Sequence, residues 1–276
     1  TPLYSSAASD VYKRQAGNGQ WFGHVFTWTP TVGGLLNTPA LINAQNFFDP
    51  TNYEGHVIYN SLSFDVNFTT TGGAPGTVNN GTSIDCGNSF AQNFSMRLLR
   101  TEDFAPGFYQ FSIQGDDGIR FSVDGGTTWI LSSWLEQQYS ASLRSTNTLF
   151  PNGICLSGPT NLVVEYFQRP ADARMTFTAT PVSTINITDP VDASVCVGDN
   201  TSFSVGNITG LTAQWYISTD NGATFQLLQN GGIFSGASTG TLNANMVTAN
   251  YDGAQFYCEL SGNCGAPLQT EIATLS

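Results

Sequence analysis

The chain has 276 residues, of which 10% are charged, and a formal net charge of −12. Eight Lys and Arg against 20 Asp and Glu cannot build a phosphate-neutralising face, which excludes nucleic acid and anionic membrane surfaces and leaves divalent cations as the charged partners that fit. No apolar run approaches the roughly 20 residues that span a bilayer, and five Cys beside only two His point to disulfides in an oxidising, extracellular compartment rather than to zinc.

The length predicts about two domains. The opening TPLYSSAASDVYKRQ differs in character from the rest of the chain and resembles a translated adapter read-through. Residues 1–15 are therefore set apart as a non-native leader, and the chain is expected to be a fragment of a longer secreted or cell-surface protein. From Trp21 the chain reads as short runs of alternating apolar residues, at 21–28, 56–68, 94–99, 108–113, 119–123, 128–131, 162–167 and 175–180. Side chains with a period of two place one row in a core, so these are strands, and no window of helical period rivals them. The Gly- and Asn-rich residues 69–88 carry no periodicity and read as a surface insertion. Cys86 closes that insertion and Cys155 lies in another loop; a Cys86–Cys155 bond is expected, contributing roughly 4 kcal/mol in the chain-entropy model.

The most telling stretch is 107–134, GFYQFSIQGDDGIRFSVDGGTTWILSSW. Two acidic, glycine-rich turns interrupt its alternation, supplying the φ > 0 or self-bonded geometry that tight connections need. The second turn opens Ser122-Val123-Asp124-Gly125-Gly126-Thr127-Thr128-Trp129, which fits S-x-D-x-G-x-T-W, the Asp-box pattern of sialidase propellers. Residues 218–225 fit it again with Phe225 in place of the tryptophan. Two copies do not make a propeller, so both are expected to be structural hairpins. The first turn, Gly115-Asp116-Asp117-Gly118, places two adjacent carboxylates at a strand end.

Gly55-His56-Val57, residues 94–98 (FSMRL), 107–111 (GFYQF), 116–121 (DDGIRF), 123–125 (VDG) and 161–167 (NLVVEYF) come in an order that resembles the protective-antigen N-terminal domain family. The resemblance covers residues 20–182. It implies a β-sandwich of a type found in bacterial toxins, glycosidases and yeast flocculins, many of which bind carbohydrate. In lectin-type members two adjacent aspartates joined by a cis peptide hold a calcium ion that coordinates sugar hydroxyls. By resemblance Asp116 and Asp117 take that place. Calcium accepts about six to eight hard oxygens, so two carboxylates leave room for carbonyls, water and vicinal hydroxyls. Asp172, in QRPADAR (168–174), is the candidate further ligand, and Trp129 and Trp134 are close enough in sequence to stack on a sugar or to pack in the core. The same Asp-Asp-Gly turn also serves simply to cap strands through Asx-type hydrogen bonds, with no ion.

Residues 183–190 read as a linker between a first domain, 16–182, and a second, 191–276. In the second, strands are expected at 201–205, 213–218, 224–228, 240–242, 254–260 and 270–275, a spacing that suggests a sandwich. Trp215 sits where an immunoglobulin-like domain keeps its core tryptophan, and Phe256 replaces the usual tyrosine of the corner motif. Residues 195–199 (VCVGD), Gln214-Trp215 and residues 261–264 (SGNC) resemble immunoglobulin-like repeats of large Bacteroidetes-type surface proteins. That resemblance implies a Cys196–Cys264 bond, with Cys258 a buried free thiol.

His24 and His56 lie in no nucleophile or metalloenzyme motif, which argues against an enzyme. Glu165 reads as a solvent-facing strand residue. The expectation is therefore an all-β chain, a protective-antigen-type sandwich followed by an immunoglobulin-like sandwich, from a secreted or surface bacterial protein. Its function is non-catalytic binding of glycans or cell-surface polysaccharide in adhesion, with calcium as the implied cofactor. The alternative is a pair of spacer modules for a larger hydrolase or an adhesin stalk with no ligand of its own.

Overall fold

The computed structural model describes residues 17–31, 33–68, 93–169, 173–183, 185–262, 264 and 267–276. The leader at 1–15, the insertion at 69–88, Cys86 and Asp172 lie outside them. The chain is all-β and divides into two compact units. The first comprises the described residues of Thr1–Phe104, Gln110–Thr146 and Gly158–Thr180; the second comprises those of Ala105–Tyr109, Asn147–Ser157 and Pro181–Ser276.

Among the described residues the first unit is built, in chain order, from β1 (Gly17–Asn18), β2 (Trp21–Thr27), β3 (Tyr53–Tyr59), β4 (Phe64–Asn67), β5 (Phe94–Asp116), β6 (Gly118–Ser122), β7 (Leu131–Ser133), β8 (Arg144–Ser145), β9 (Ile154–Gln168) and β10 (Arg174–Pro181). A sheet of order β3-β2-β5-β9-β6-β7 carries the first half of β5, while the far end of β5 pairs with β8, and β10 pairs with both β4 and β5. The two expected runs at 94–99 and 108–113 are thus one 23-residue strand serving both layers of a sandwich. Between the layers Trp21 meets Phe177 edge-on at 5.2 Å, and Phe121 lies 4.8 Å from Phe177 and 5.0 Å from Phe111. All four rings are buried, and it is the period-two alternation of their strands that brings them to one face.

The outer face of the six-stranded sheet has a second, smaller core. The chain between β2 and β3 lays the short helix α1 (Pro39–Asn43), capped by the Thr38 side chain, across that face. Its segment buries Trp28, Leu36, Ile42 and Phe47 against Phe167 of β9. One polar rank crosses the same face: His56 opposite His24, His24 opposite Arg97, and Glu165 opposite Arg120. Covering this face buries what alternation assigns to solvent. Glu165 is 1% exposed, which corrects its reading as a solvent-facing residue.

His24, also 1% exposed, has Nδ1 3.3 Å from the Tyr53 hydroxyl, and it sits between His56 on β3 and Arg97 on β5. Burial, reinforced by the neighbouring His56 and Arg97, pulls its pKa from 6.5 down to about 4. Between those two values the unfolded chain binds the proton and the folded chain does not, so stability is full above about pH 6.5 and is lost as pH falls towards 4. His24→Gln removes this term. The stability difference between wild type and variant, followed by urea unfolding from pH 7 to 4, is expected to shrink by about 3 kcal/mol. A constant difference across that range overturns the assignment.

The second unit is built from β11 (Thr201–Ser204), β12 (Thr212–Ser218), β13 (Gln226–Leu227), β14 (Phe234–Ser235), β15 (Thr241–Ala244), β16 (Gln255–Ser261), β17 (Leu268–Gln269) and β18 (Ala273–Thr274). They form two sheets, β11-β15-β14 and β13-β12-β16-β17, with β18 also on β16. Trp215 is fully buried, and its indole donates to the Thr239 carbonyl at 2.9 Å. Phe203 and Phe256 stack beside it at 4.8 Å. The two Asp boxes are built alike. Ser122 and Ser218 each donate to the Asp two residues on at 2.6 Å, and the Asp accepts the N–H of Thr128 or Thr224 at 2.9 Å. Those hydrogen bonds, from the serine and threonine hydroxyls first, hold the Asp124 and Asp220 carboxyls down at about 2.

The disulfide is Cys155–Cys264, bridging 109 positions of sequence. This corrects both expected pairings, Cys86–Cys155 and Cys196–Cys264. The reason is topological: Asn147–Ser157, which holds Cys155, belongs to the second unit, so Cys155 meets Cys264 there. Cys196 is a free, exposed thiol. Cys258 is free and buried, as expected, with burial pushing its pKa up to about 11.

Candidate functional site

Asp116 ends β5 and Asp117 bridges it to β6, with a cis peptide bond between them, the geometry that the family resemblance implies. The neighbouring glycines are dictated by close approach. A Cβ on Gly118 would lie 1.9 Å from the buried Phe167 ring, and one on Gly115 would lie 2.9 Å from Ile119 Cβ. The hydroxyl of the fully buried Tyr166 donates its one proton to the Asp116 carbonyl, with Gln168 Oε1 2.7 Å away, anchoring the turn from below.

Two segments cradle the carboxylates with backbone N–H groups. Asp117 accepts from Arg169 N at 2.7 Å and from Gln137 N at 3.3 Å, and Asp116 accepts from Tyr139 N at 3.2 Å. Gln137 is itself pinned by bonds from its amide to Ser133 O and Oγ. Glu136 stands close by, held by Arg169 Nη1 and Leu36 N, both at 2.7 Å. Asp117 is 6% exposed. Burial pushes its pKa up to about 7, with Asp116 and Glu136 adding like charge against the Arg169 and Gln137 hydrogen bonds. A carboxylate in that position carries a desolvation cost that its amide partners do not offset.

Fit to a calcium ion follows from the donor set. The two side chains present are hard, anionic and adjacent, and they sit where one of them is short of positive charge. Among the described residues no group of three or more His, Cys, Asp or Glu is arranged to hold a metal. A cation held here would take two carboxylates and would complete its shell with carbonyls, water or ligand oxygens.

Trp134, singled out as a stacking candidate, is half-buried and packs on Phe47 at 5.4 Å and Phe167 at 4.9 Å, with the Arg120 guanidinium 4.4 Å over its ring. Trp129 takes the other side of that guanidinium at 4.1 Å. The cradle residues Gln137, Tyr139 and Arg169 were not legible in the sequence, because they contribute backbone N–H groups that nearly any residue has. Arg97 and Arg120 were likewise missed; both donate to Glu165, through Nε at 2.6 and 2.7 Å.

No protein-family model and no curated protein sequence matches the chain. Among solved structures it is similar to the Epithelial Adhesin 9 A domain of Candida glabrata, solved with Galβ1-4GlcNAc, at 14% identity over 61% of this chain and 84% of that one, TM-score 0.44. It is also similar to a PA14 sugar-binding domain from an RTX adhesin, at 18% identity over 60% and 91%, TM-score 0.41. A third similarity, to the N-terminal Ig1-2 module of a Drosophila receptor protein tyrosine phosphatase, has 20% identity over 33% of this chain and 47% of that one, TM-score 0.26.

Proposed function

We propose that the first unit binds a glycan through a calcium ion held by Asp116 and Asp117, and that the chain is a non-catalytic adhesion segment of a secreted or cell-surface protein. The observation that carries this is Asp117, a buried carboxylate beside a second carboxylate, served among the described residues by the backbone N–H donors of Arg169 and Gln137 and pushed up to about 7 by burial. A divalent cation supplies the missing positive charge and presents its outer face to sugar hydroxyls. The protein's own groups do the positioning: Tyr166 fixes the Asp116 carbonyl, while the Gln137 and Arg169 amides aim the Asp117 oxygens.

Calorimetric titration with calcium, and a glycan array with and without chelator, test the reading. Wild type is expected to bind calcium, and chelator to abolish binding of neutral glycans. Asp117→Asn removes the charge and leaves one of the two amide donors, Gln137 N or Arg169 N, without its acceptor, and is expected to weaken calcium binding by about 100-fold or more. Absence of calcium binding, or neutral-glycan binding indifferent to chelator, overturns the proposal.

A further inference from the structure

The arginines of this acidic chain are unevenly matched to carboxylates. Arg100 has Glu102, Arg169 has Glu136 and Arg174 has Asp65, while the exposed Arg144 donates to the Ala141 and Leu143 carbonyls. Arg97 and Arg120, by contrast, share the single carboxylate of Glu165, one on each oxygen. One guanidinium suffices to neutralise a buried carboxylate. The second leaves a surplus positive charge on the outer face of the sheet, in a chain whose net charge is −12.

Both guanidiniums are fixed in place and partly open. Arg97 lies 4.5 Å over Phe48, and Arg120 lies between Trp129 and Trp134, at 4.1 and 4.4 Å. Their side chains remain 26% and 25% exposed, whereas Glu165 is 1% exposed. Each gives Nε and Nη2 to Glu165. A guanidinium has five N–H donors, so each retains the Nη1 edge for another acceptor. Stacking on aromatic rings holds those edges at low entropic cost, and a guanidinium edge pairs with two oxygens of a carboxylate or of a tetrahedral oxyanion.

We infer that Arg97 and Arg120 form a second subsite, which takes a carboxylate or sulfate carried on a sugar. The neighbouring indoles offer apolar edges to the ring that bears the charge. The strongly negative chain repels a continuous polyanion, so the ligand is a glycan with an isolated acidic group rather than a nucleic acid or a heparin-like polymer. The subsite goes beyond the calcium reading and does not depend on it.

The test uses the whole chain and five probes: a uronate-containing trisaccharide, a monosulfated trisaccharide, the neutral parent of each, and heparin. Wild type is expected to prefer at least one acidic trisaccharide over its neutral parent by about tenfold, with a preference that falls as salt rises. Chelator leaves binding of the acidic trisaccharide in place, which separates failure here from failure of the calcium proposal. Arg97→Gln, in which Glu165 keeps Arg120, removes the preference, and Arg97→Lys recovers part of it. No preference for acid, a preference unchanged in Arg97→Gln, binding of the acidic trisaccharide lost in chelator, or heparin bound more tightly than the trisaccharides would each overturn the inference. A thermal melt of each variant is run alongside, so that Arg97→Lys restoring binding without a change in melting separates recognition from folding.

Discussion

Glu165→Ala is expected to destabilise the first unit by about 3–5 kcal/mol, among the largest effects of any single substitution in the chain. Glu165 is the one carboxylate between Arg97 and Arg120, and its side chain is 1% exposed, so its removal leaves two guanidiniums facing each other across a strand with nothing between them. The guanidiniums are about a quarter exposed, and water admitted beside them brings the expected loss towards the lower end of that range. Their stacking on Phe48, Trp129 and Trp134 loosens at the same time. Urea unfolding read by tryptophan fluorescence measures it. Glu165→Gln, which keeps hydrogen-bond acceptance at one oxygen, should lose less than Glu165→Ala. A loss below about 1 kcal/mol for the alanine variant would mean that the triad contributes no more than a surface ion pair.

Replacing Cys155 and Cys264 together by serine is expected to cost the second unit about 2–5 kcal/mol. The bond spans 109 positions, and a loop of that length confines the unfolded chain by close to the upper figure in the chain-entropy model. Both cysteines belong to the second unit, so the loss should appear there, as faster amide exchange around Trp215 and Phe256, while protection around Phe121 and Phe177 is retained. Non-reducing peptide mapping gives the independent check. It should recover the Cys155–Cys264 cross-link, and recovery of Cys86–Cys155 or Cys196–Cys264 in its place would refute the assignment.

The strands around Phe111, Phe121 and Phe177 were legible from alternation, because one face of each is buried and the other is not. So were the Asp boxes, whose hydrogen bonds run between residues two to four apart. Local chemistry of that range is written in consecutive letters. The helix at Pro39–Asn43 was not legible: it spans five residues, too few for a helical period to emerge, and it exists because Leu36, Ile42 and Phe47 found an apolar patch around Phe167. Glu165 was misread for a related reason. A strand covered on its outer face hides a charged residue that alternation assigns to water, and only the neighbouring strands reveal the two arginines that make this tolerable.

The Asp116-Asp117 turn shows the same division. From sequence alone came the two adjacent carboxylates, the glycines on either side and the strand end on which they stand, since these rest on consecutive residues and their backbone preferences. Tertiary structure alone decided that Asp117 is buried, that its oxygens face the amides of Gln137 and Arg169, and that Glu136 adds to the negative charge around it. The cysteine pairing was decided in the same way, by the folding of Asn147–Ser157 into the second unit. A pairing across more than a hundred residues, like the electrostatic environment of a carboxylate, depends on which distant segments the fold brings together. Neither has a signature in the residues beside it.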